Sequence, residues 1–203
     1  MSNNILIFFC IIFVLSNPKV GLAQTTFNIK YFGMTVHPYG DRQAFNMPYK
    51  IDKKGVFVPN FGGIIAAERF ILSDDLSIKF AQGVYADCGA MFAGHTHLGF
   101  RYYFWHFGKD KHNTLSIGWG PTYIYRKSWA IKPGYNDYRL FKTTRSWQHV
   151  FVWIGGEIEY NQIISNNIDL SINLVPGYPR FISIGVGIRY WFKKRDFKKG
   201  FHF

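Results

Sequence analysis

Apolar and polar side chains alternate along most of the chain with the period of two that is typical of β-strands. In residues 181–192, for example, aliphatic and aromatic residues occupy every second position, and serine, glycine and arginine lie between them. Eight runs of this kind follow residue 27, and no helical periodicity extends beyond about two turns. The runs are 27–37, 57–70, 76–87, 94–107, 114–126, 150–160, 168–176 and 181–192.

The connections between these runs differ in length. Residues 38–56 and 127–148 form long links rich in Gly, Pro, Tyr and charge, whereas 73–75, 108–113 and 162–167 are short turn sequences. Short turns at one end and long loops at the other are typical of outer-membrane barrels. The sequence therefore predicts an all-β protein, an eight-stranded antiparallel up-and-down transmembrane β-barrel over residues 24–192.

The aromatic content separates this prediction from a soluble, lipocalin-like barrel, whose apolar face would point inward. Phe, Tyr and Trp number 21, 13 and 6, or 20% of the 203 residues. Many stand at strand ends, as in Tyr102-Tyr103-Phe104-Trp105 and Tyr190-Trp191-Phe192. Aromatic residues at these positions form girdles at the two membrane interfaces, which favours the membrane barrel.

The N-terminus carries a targeting signal. Residues 5–15 are uninterruptedly apolar but too short to span a bilayer, and Gly21-Leu22-Ala23 suits signal peptidase cleavage. We interpret residues 1–23 as a secretory signal, with an uncleaved anchor as the alternative. The predicted location is the outer membrane, reached through the outer-membrane insertion machinery, and the predicted state is a monomer.

Strand counting places three reactive side chains at the extracellular rim: His37 after the first strand, and Asp87 and Cys88 after the third. Nucleophilic acyl transfer uses such a set, because a thiol or hydroxyl needs a base to take its proton and a group to orient that base. On spacing alone the signal is weak, since Asp at a strand end is often a turn cap and a single Cys is often a small apolar filler.

Several short motifs follow one another along the chain in an order that is similar to that of a known protein family. They are Met34-Thr35-Val36-His37, the segment from Val58-Pro59-Asn60 to Glu68-Arg69, Asp87-Cys88, Gly99-Phe100, Arg126-Lys127-Ser128-Trp129 and Val175-Pro176-Gly177-Tyr178. In this order the chain resembles the lipid A palmitoyltransferase family of eight-stranded outer-membrane enzymes. It departs from the family by having Cys88 where the family has Ser, by having only residues 24–26 before the first strand, and by its extension, residues 193–203.

The resemblance implies a function and a set of roles. The activity would be transfer of a fatty, palmitoyl-like acyl chain from a phospholipid donor to a lipid A acceptor. Cys88 would be the nucleophile, His37 the base and Asp87 the orienting group. Gly99 would form the floor of an internal acyl pocket, and Pro59 and Pro176 would mark lateral openings for lipid. No cofactor is implied.

Charge adds a possible contact with lipid. The chain has 24 Lys plus Arg against 12 Asp plus Glu, a net charge of +12. The expected contacts to lipid phosphates are Arg126, Lys127, Arg139, Lys142 and Arg145. The basic C-terminal tail, 193–203, would lie at the periplasmic side near lipid headgroups. Nucleic-acid binding is disfavoured, since the export signal removes the chain from the nucleoid.

Other functions stay open at this stage. A non-enzymatic barrel for adhesion or envelope structure predicts a lumen filled by Glu157 or Glu159 paired with Arg101 or Arg189. A lipid A deacylase is a further alternative, although the His-x-Ser pairing expected of it is absent. His95 and His97 share a strand face and could bind zinc, but no third ligand is near in sequence. We therefore predict no metal site.

Overall fold

The computed structural model describes residues 24–72, 75–108, 112–135, 141–177 and 181–193. The predicted signal, 1–23, and residues 194–203 of the predicted tail lie outside the described residues. The strands are β1 (Thr25–Val36), β2 (Phe57–Pro59), β3 (Phe61–Leu72), β4 (Leu76–Ala86), β5 (Phe92–Phe107), β6 (Asn113–Lys127), β7 (Lys142–Thr144), β8 (Trp147–Ser165), β9 (Ile168–Gly177) and β10 (Phe181–Trp191).

Eight of these strands form one closed antiparallel barrel. Each long strand pairs with the next long strand in the chain, and β1 closes the barrel by pairing with β10, from Thr26 opposite Trp191 to Val36 opposite Ile182. The short strands β2 and β7 add to the upper ends of β1 and β8. The predicted eight-stranded up-and-down barrel is therefore confirmed.

The two ends of the barrel differ. Short connections join β3 to β4, β5 to β6 and β8 to β9 at the end where the chain enters and leaves the barrel. The opposite end carries residues 37–56, 87–91 and 128–135, with single-turn 3-10 helices at Ala44–Asn46 and Trp129–Ile131. Because transmembrane barrels carry their longer loops outside the cell, we assign this end to the extracellular side.

The outward face of the barrel is apolar around its whole circumference. Each long strand contributes large exposed hydrophobic side chains to this belt, among them Ile29, Ile65, Val84, Leu98, Phe100, Ile117, Trp119, Phe151, Trp153, Ile158, Leu174, Val186 and Ile188. A soluble protein rarely exposes a continuous apolar surface of this extent. The lipocalin-like alternative is therefore wrong, and the barrel has the lipid-facing surface of an outer-membrane protein.

The lower half of the lumen is filled by paired charges. Its buried ionic side chains are Lys30, Glu68, Lys79, Arg101, Glu157, Glu159 and Arg189. Glu159 accepts from Lys30, from Arg101 at 2.6 Å and from Arg189 at 2.5 Å. Glu157 accepts from Lys79 at 2.7 Å and from Arg101. These contacts include the pairs of lumen glutamates with Arg101 and Arg189 that the non-enzymatic alternative predicts.

An aromatic cluster lies below the charged layer, at the periplasmic end. The rings of Phe70 and Trp191 stack with centroids 5.1 Å apart, and Tyr103 packs on Phe70 at 5.3 Å. Tyr103 Oη donates to Glu68 at 2.7 Å, and Trp191 Nε1 donates to Asp169 at 2.6 Å. Cluster and charged layer together close the lower lumen. None of the helical segments described is long and apolar enough to cross a membrane.

Candidate active site

Above the charged layer the lumen widens into a cavity of about 440 Å³. Its wall is mostly apolar, and the side chains that form it include Phe32, Ile64, Ala81, Tyr85, Ala93, Ile124, Val150, Val152, Ile154, Val175 and Phe181. A volume of this order suits a small molecule or a lipid chain. The predicted catalytic residues His37, Asp87 and Cys88 line the extracellular end of this cavity.

A thiol, an imidazole and a carboxylate stand in line at that end. The Sγ atom of Cys88 lies 3.6 Å from Nε2 of His37. The other ring nitrogen, Nδ1, lies 3.2 Å from Oδ2 of Asp41. His37 is 5% exposed, and its ring also packs against Phe181 with centroids 5.5 Å apart. The arrangement matches the nucleophile, base and orienting acid of covalent acyl transfer.

The carboxylate in contact with His37 is that of Asp41, where the sequence predicted Asp87. Asp41 follows β1 in a turn in which Gly40 N donates to His37 O at 2.8 Å. Its Oδ1 accepts from Gln43 N at 2.6 Å, which leaves Oδ2 directed at the imidazole. The signal for it in the sequence was the turn His37-Pro38-Tyr39-Gly40-Asp41, which returns an acid to the histidine four residues later.

Asp87 builds the turn that presents the thiol. Its Oδ1 accepts from the backbone N–H groups of Gly89 and Met91, both at 2.9 Å. Its Oδ2 accepts from Trp129 Nε1 at 2.7 Å. Within this turn Ala90 adopts a left-handed φ of 57°. These contacts engage both carboxylate oxygens of Asp87 within its own turn and with Trp129, whereas Asp41 is the carboxylate that contacts His37.

Electrostatics keep the thiol protonated in the resting protein. Burial, and next the charge of Asp87, raise the pKa of Cys88 to about 12. Burial also raises the pKa of Asp87. Burial would raise the pKa of Asp41 too, but hydrogen bonds from His37 and from Gln43 N hold it below its ordinary value. A nucleophilic thiolate at this site therefore requires transfer of the proton to a base, and His37 is the base in contact.

Asn60 is a site residue that the sequence analysis mentioned only within a motif. Its Oδ1 accepts from Cys88 Sγ at 3.7 Å, and its Nδ2 donates to Thr35 Oγ1. Asn60 is 2% exposed and lies between β2 and β3. In the sequence, its only signal is a polar amide directly after Pro59, between the apolar runs of β2 and β3, and buried amides are usually hydrogen-bonded.

A structured roof covers the extracellular end of the cavity. Met47, Val58 and Trp129 form a buried cluster against which Cys88, Met91 and Tyr135 pack. Lys132 Nζ joins two of the loops by donating to Asn46 O at 3.0 Å and Gly89 O at 2.6 Å.

The side wall opens between β8 and β9. Their ladder runs upward only to the pair Ile158–Leu174, although both strands continue beyond it. On either side of the unpaired stretch, Ile154, Gly155, Gly156, Val175, Pro176 and Gly177 line the cavity. Ile154 is nevertheless 79% exposed on the outer surface. Pro176 has no N–H to donate toward β8, as the prediction of an opening there requires.

Pro59 has a different environment. It stands opposite Met34 within the paired β1–β2 ladder, and the cavity wall includes its neighbour Asn60 instead. The β3–β4 ladder then continues from Phe61 opposite Ala86. Pro176 thus lies beside the unpaired stretch of β8 and β9, and Pro59 lies in β2, whose ladder partner is β1. A role of either proline in lateral lipid access stays a prediction.

Gly99 lies beside the lower end of the cavity rather than on its floor. A Cβ at this position would meet the carbonyl oxygen of Trp119 at 2.4 Å and Nε2 of His97 at 2.6 Å. The space freed by the missing side chain is therefore taken by protein atoms. The floor consists of polar side chains, His97, Lys79, Glu157 and Asn173.

The predicted phosphate-binding residues separate into two groups. Arg126 lies in the cavity wall, donates to Gln148 Oε1 and Tyr135 Oη at 2.9 Å each, and stacks over Phe141. Lys127 lies over the Trp147 ring. Lys142 and Arg145 are exposed at the rim. Arg139 lies outside the described residues.

The histidine pair offers little to a metal. His97 Nδ1 contacts Thr122 Oγ1 at 2.7 Å, and the His95 ring packs against Tyr85 and Phe32. Within the described part of the chain, no three His, Cys, Asp or Glu side chains are placed to hold a metal ion.

Among solved structures, the chain is similar in fold to small β-barrel proteins. No protein-family model matches the chain, and no curated protein does. The N-terminal β-barrel domain of Pseudomonas aeruginosa OprF is 16% identical with a TM-score of 0.44, covering 84% of this chain and 99% of that one. Neisserial surface protein A is 12% identical with a TM-score of 0.46, covering 83% and 96%.

The attachment invasion locus protein Ail of Yersinia pestis is 9% identical with a TM-score of 0.45, covering 84% of this chain and 97% of that one. Similarity at this level says nothing about the chemistry of the site. None of these matches is to the lipid A palmitoyltransferase family, so membership in that family stays a prediction.

Proposed function

We propose that this small outer-membrane β-barrel is an acyltransferase that moves a fatty acyl chain from a phospholipid to lipid A. The observation that carries the proposal is that three features lie next to one another. Cys88, His37 and Asp41 are in contact in that order, an apolar cavity lies beneath them, and the β8–β9 ladder ends beside this cavity. Together they provide a nucleophile, room for a chain, and a route from the bilayer.

The reaction proceeds through a thioester. His37 Nε2 takes the proton of Cys88 as Sγ attacks the ester carbonyl of the phospholipid. The bond between the carbonyl carbon and the glycerol oxygen breaks, and His37 gives its proton to that oxygen, so the lysophospholipid leaves as an alcohol and His37 is neutral again. An acceptor hydroxyl then gives its proton to His37 and attacks the thioester. The C–S bond breaks, and the thiolate recovers the proton from His37.

Asp41 holds the imidazole in the orientation that directs Nε2 at the thiol, and it stabilises the imidazolium that forms in each half-reaction. The choice of lipid A as acceptor rests on the exposed cations Lys142 and Arg145 at the rim. Basic groups near an anionic lipid surface contribute about 1 kcal/mol each, and lipid A presents phosphates at that surface.

The test is expression in a Gram-negative strain that adds no acyl chain to lipid A, with lipid A masses as the readout. We expect one added acyl mass with the unmodified protein and none with Cys88→Ala or His37→Ala. His149→Ala is the matched control, because His149 contacts Tyr123 on the outer face, away from the cavity. An unmodified protein that is folded in the outer membrane and adds no mass would overturn the proposal.

A non-enzymatic barrel is the second candidate, and the charged layer favours it. A network of seven buried ionic groups, joined by ion pairs, rigidifies the lower lumen without serving any reaction. This candidate predicts that His37→Ala and Cys88→Ala leave the envelope phenotype of the protein unchanged. The same lipid A experiment therefore separates the two functions.

A further inference from the structure

We infer that Asn60 is a further catalytic residue, whose amide N–H stabilises the oxyanion that forms when Cys88 attacks an ester carbonyl. The inference rests on the proposed function, because it concerns the same acyl-transfer step. In that step the carbonyl double bond opens, and a negative charge develops on the carbonyl oxygen. Enzymes of acyl transfer direct hydrogen-bond donors at this oxygen, and the loss of one donor costs about 10²- to 10³-fold in rate.

The backbone N–H groups of the turn that follows Cys88 are engaged by other atoms. In α/β-hydrolases the oxyanion binds the N–H of the residue after the nucleophile. Here Gly89 N and Met91 N donate to Asp87 Oδ1 at 2.9 Å each, and Ala90 N donates to Asp87 O at 2.8 Å. Beyond the N–H of Cys88 itself, a donor for the oxyanion therefore has to come from a side chain.

The side chains of His37 and Asn60 both contact the sulfur. Sγ of Cys88 lies 3.6 Å from Nε2 of His37 and 3.7 Å from Oδ1 of Asn60. Nε2 takes the thiol proton and then gives it to the leaving oxygen, so it does not serve the oxyanion. The amide of Asn60 has no such task, and it lines the cavity beside His37 and Cys88. The oxyanion is bonded to the carbon that Sγ attacks, so a group in contact with Sγ is within its reach.

The backbone of Asn60 is fixed at this place. Asn60 N donates to Gly33 O at 3.0 Å, and Asn60 O accepts from Tyr31 Oη at 3.1 Å. In the side chain, Nδ2 donates to Thr35 Oγ1, and Ser183 Oγ lies 3.3 Å from Thr35 Oγ1. Asn60 is 2% exposed, so protein contacts rather than water hold its amide. Only a turn of the amide about the Cβ–Cγ bond is left open.

The amide can direct either of its ends at the sulfur. Its oxygen and nitrogen exchange places in a half turn about the Cβ–Cγ bond, for which Asn has two broad minima. While the thiol is protonated, Oδ1 accepts from Sγ, which is the arrangement in the structure. Once the proton is on His37, negative charge on the sulfur and then on the oxyanion repels Oδ1 and attracts Nδ2. The half turn directs Nδ2 at the oxyanion.

Thr35 allows this half turn without loss of a hydrogen bond. A hydroxyl both donates and accepts, so Thr35 Oγ1 accepts from Nδ2 before the turn and donates to Oδ1 after it. The hydroxyl of Ser183 reverses its bond to Thr35 in the same way, since either oxygen of this pair can be the donor. Thr35 is therefore a positioning residue that acts through Asn60.

The test compares two reactions of Cys88 in the folded barrel in detergent. Acylation by para-nitrophenyl decanoate passes through an oxyanion: the bond from Sγ to the carbonyl carbon forms, the bond from that carbon to the phenol oxygen breaks, and the thiol proton leaves with the nitrophenol. Alkylation by iodoacetamide displaces iodide and forms no oxyanion. Both reactions need the same thiolate, so the ratio of their rates removes any effect of a substitution on thiolate formation.

We expect Asn60→Ala to lower the ratio of acylation to alkylation about 10²- to 10³-fold. Asn60→Asp keeps the size of the side chain but removes the donor, so it should lower the ratio at least as far, and it decides the test if Asn60→Ala does not fold. Thr35→Val should lower the ratio about fivefold, the effect of one neutral hydrogen bond, and Thr35→Ser should not. The control is Asn161→Ala, which removes a buried amide from the lower lumen and should leave the ratio unchanged.

The outcomes separate this inference from the proposed function. An unchanged ratio in the Asn60 variants, whether both rates fall together or neither falls, overturns the oxyanion role and leaves the acyltransferase proposal standing. A lowered ratio in a protein that adds no acyl mass to lipid A supports the role of Asn60 and overturns transfer to lipid A. If the unmodified protein is alkylated but never acylated, the site has no acyl-transfer chemistry and both proposals fail.

Discussion

The burial of Cys88 predicts that its thiol is alkylated slowly in the folded protein. Cys88 is one of two cysteines in the chain, and the other, Cys10, lies in the predicted signal. The reaction rate of a chain without residues 1–23 therefore reports Cys88 alone. The experiment compares the rate of reaction with iodoacetamide at pH 8 between the folded protein in detergent and the same chain unfolded in urea.

The magnitude follows from the pKa. Burial moves the pKa of Cys88 from 9.0 to about 12, so at pH 8 the folded protein holds about a thousandfold less thiolate than the unfolded chain. A thiolate of higher pKa is intrinsically more nucleophilic, by about 15- to 30-fold for three pKa units. The folded protein should therefore react about 30- to 60-fold more slowly.

The pH profile checks the cause. We expect the rate for the folded protein to rise about tenfold per pH unit from pH 7 to pH 10, because the thiolate fraction grows in that proportion below the pKa. Asp87→Asn should increase the rate, since the charge of Asp87 is the next cause of the raised pKa after burial. Asp52→Asn, in an exposed loop, is the matched control. A folded rate equal to the unfolded one, or a plateau below pH 7, would refute the reasoning.

Three further predictions address the site, the lumen and the cavity floor. Asp41→Asn should lower acyl addition to lipid A by about 10²- to 10⁴-fold, the range for losing support of a general base, and unchanged lipid A masses would contradict the role of Asp41. Glu159→Gln should destabilise the barrel by about 3 to 5 kcal/mol in urea titrations in lipid vesicles, because it leaves Lys30 and Arg189 short of a buried counter-charge. Gly99→Ala should lower the urea midpoint rather than shorten the transferred chain, since a Cβ would meet Trp119 O at 2.4 Å; a normal midpoint with a shorter acyl product would show that Gly99 does form the floor.

The barrel could be predicted because the patterns that specify it, side-chain alternation and turn length, extend over only a few residues. In a strand, successive side chains point to opposite faces. Alternation in residues 181–192 or 168–176 therefore already separates the side chains that face lipid from those that face the lumen. Turn length and aromatic residues at strand ends then fix the topology and the membrane. The pairing of lumen glutamates with Arg101 and Arg189, which the non-enzymatic barrel predicts, uses the same alternation, because opposite charges on the inner face need buried partners.

The contacts among Cys88, His37 and Asp41 could be identified only in the folded chain. His37 and Cys88 were predicted as neighbours because both end strands at the same rim, but their contact spans 51 residues of sequence. Which acid reaches His37 depends on loop geometry: the turn after β1 brings back Asp41, and the turn after β4 engages Asp87 with Gly89, Met91 and Trp129. Neither turn has a periodic signature.

The sequence by itself determined the fold, the inward and outward faces and the end of the barrel where the chemistry would lie, because strand periodicity and turn composition act over a few residues. Only the tertiary structure decided which carboxylate contacts His37, where the β8–β9 ladder ends, and which polar side chains line the lower end of the cavity. These features depend on the register of strands that are far apart in the chain and on the directions of buried side chains, and register is fixed by closure of the whole barrel.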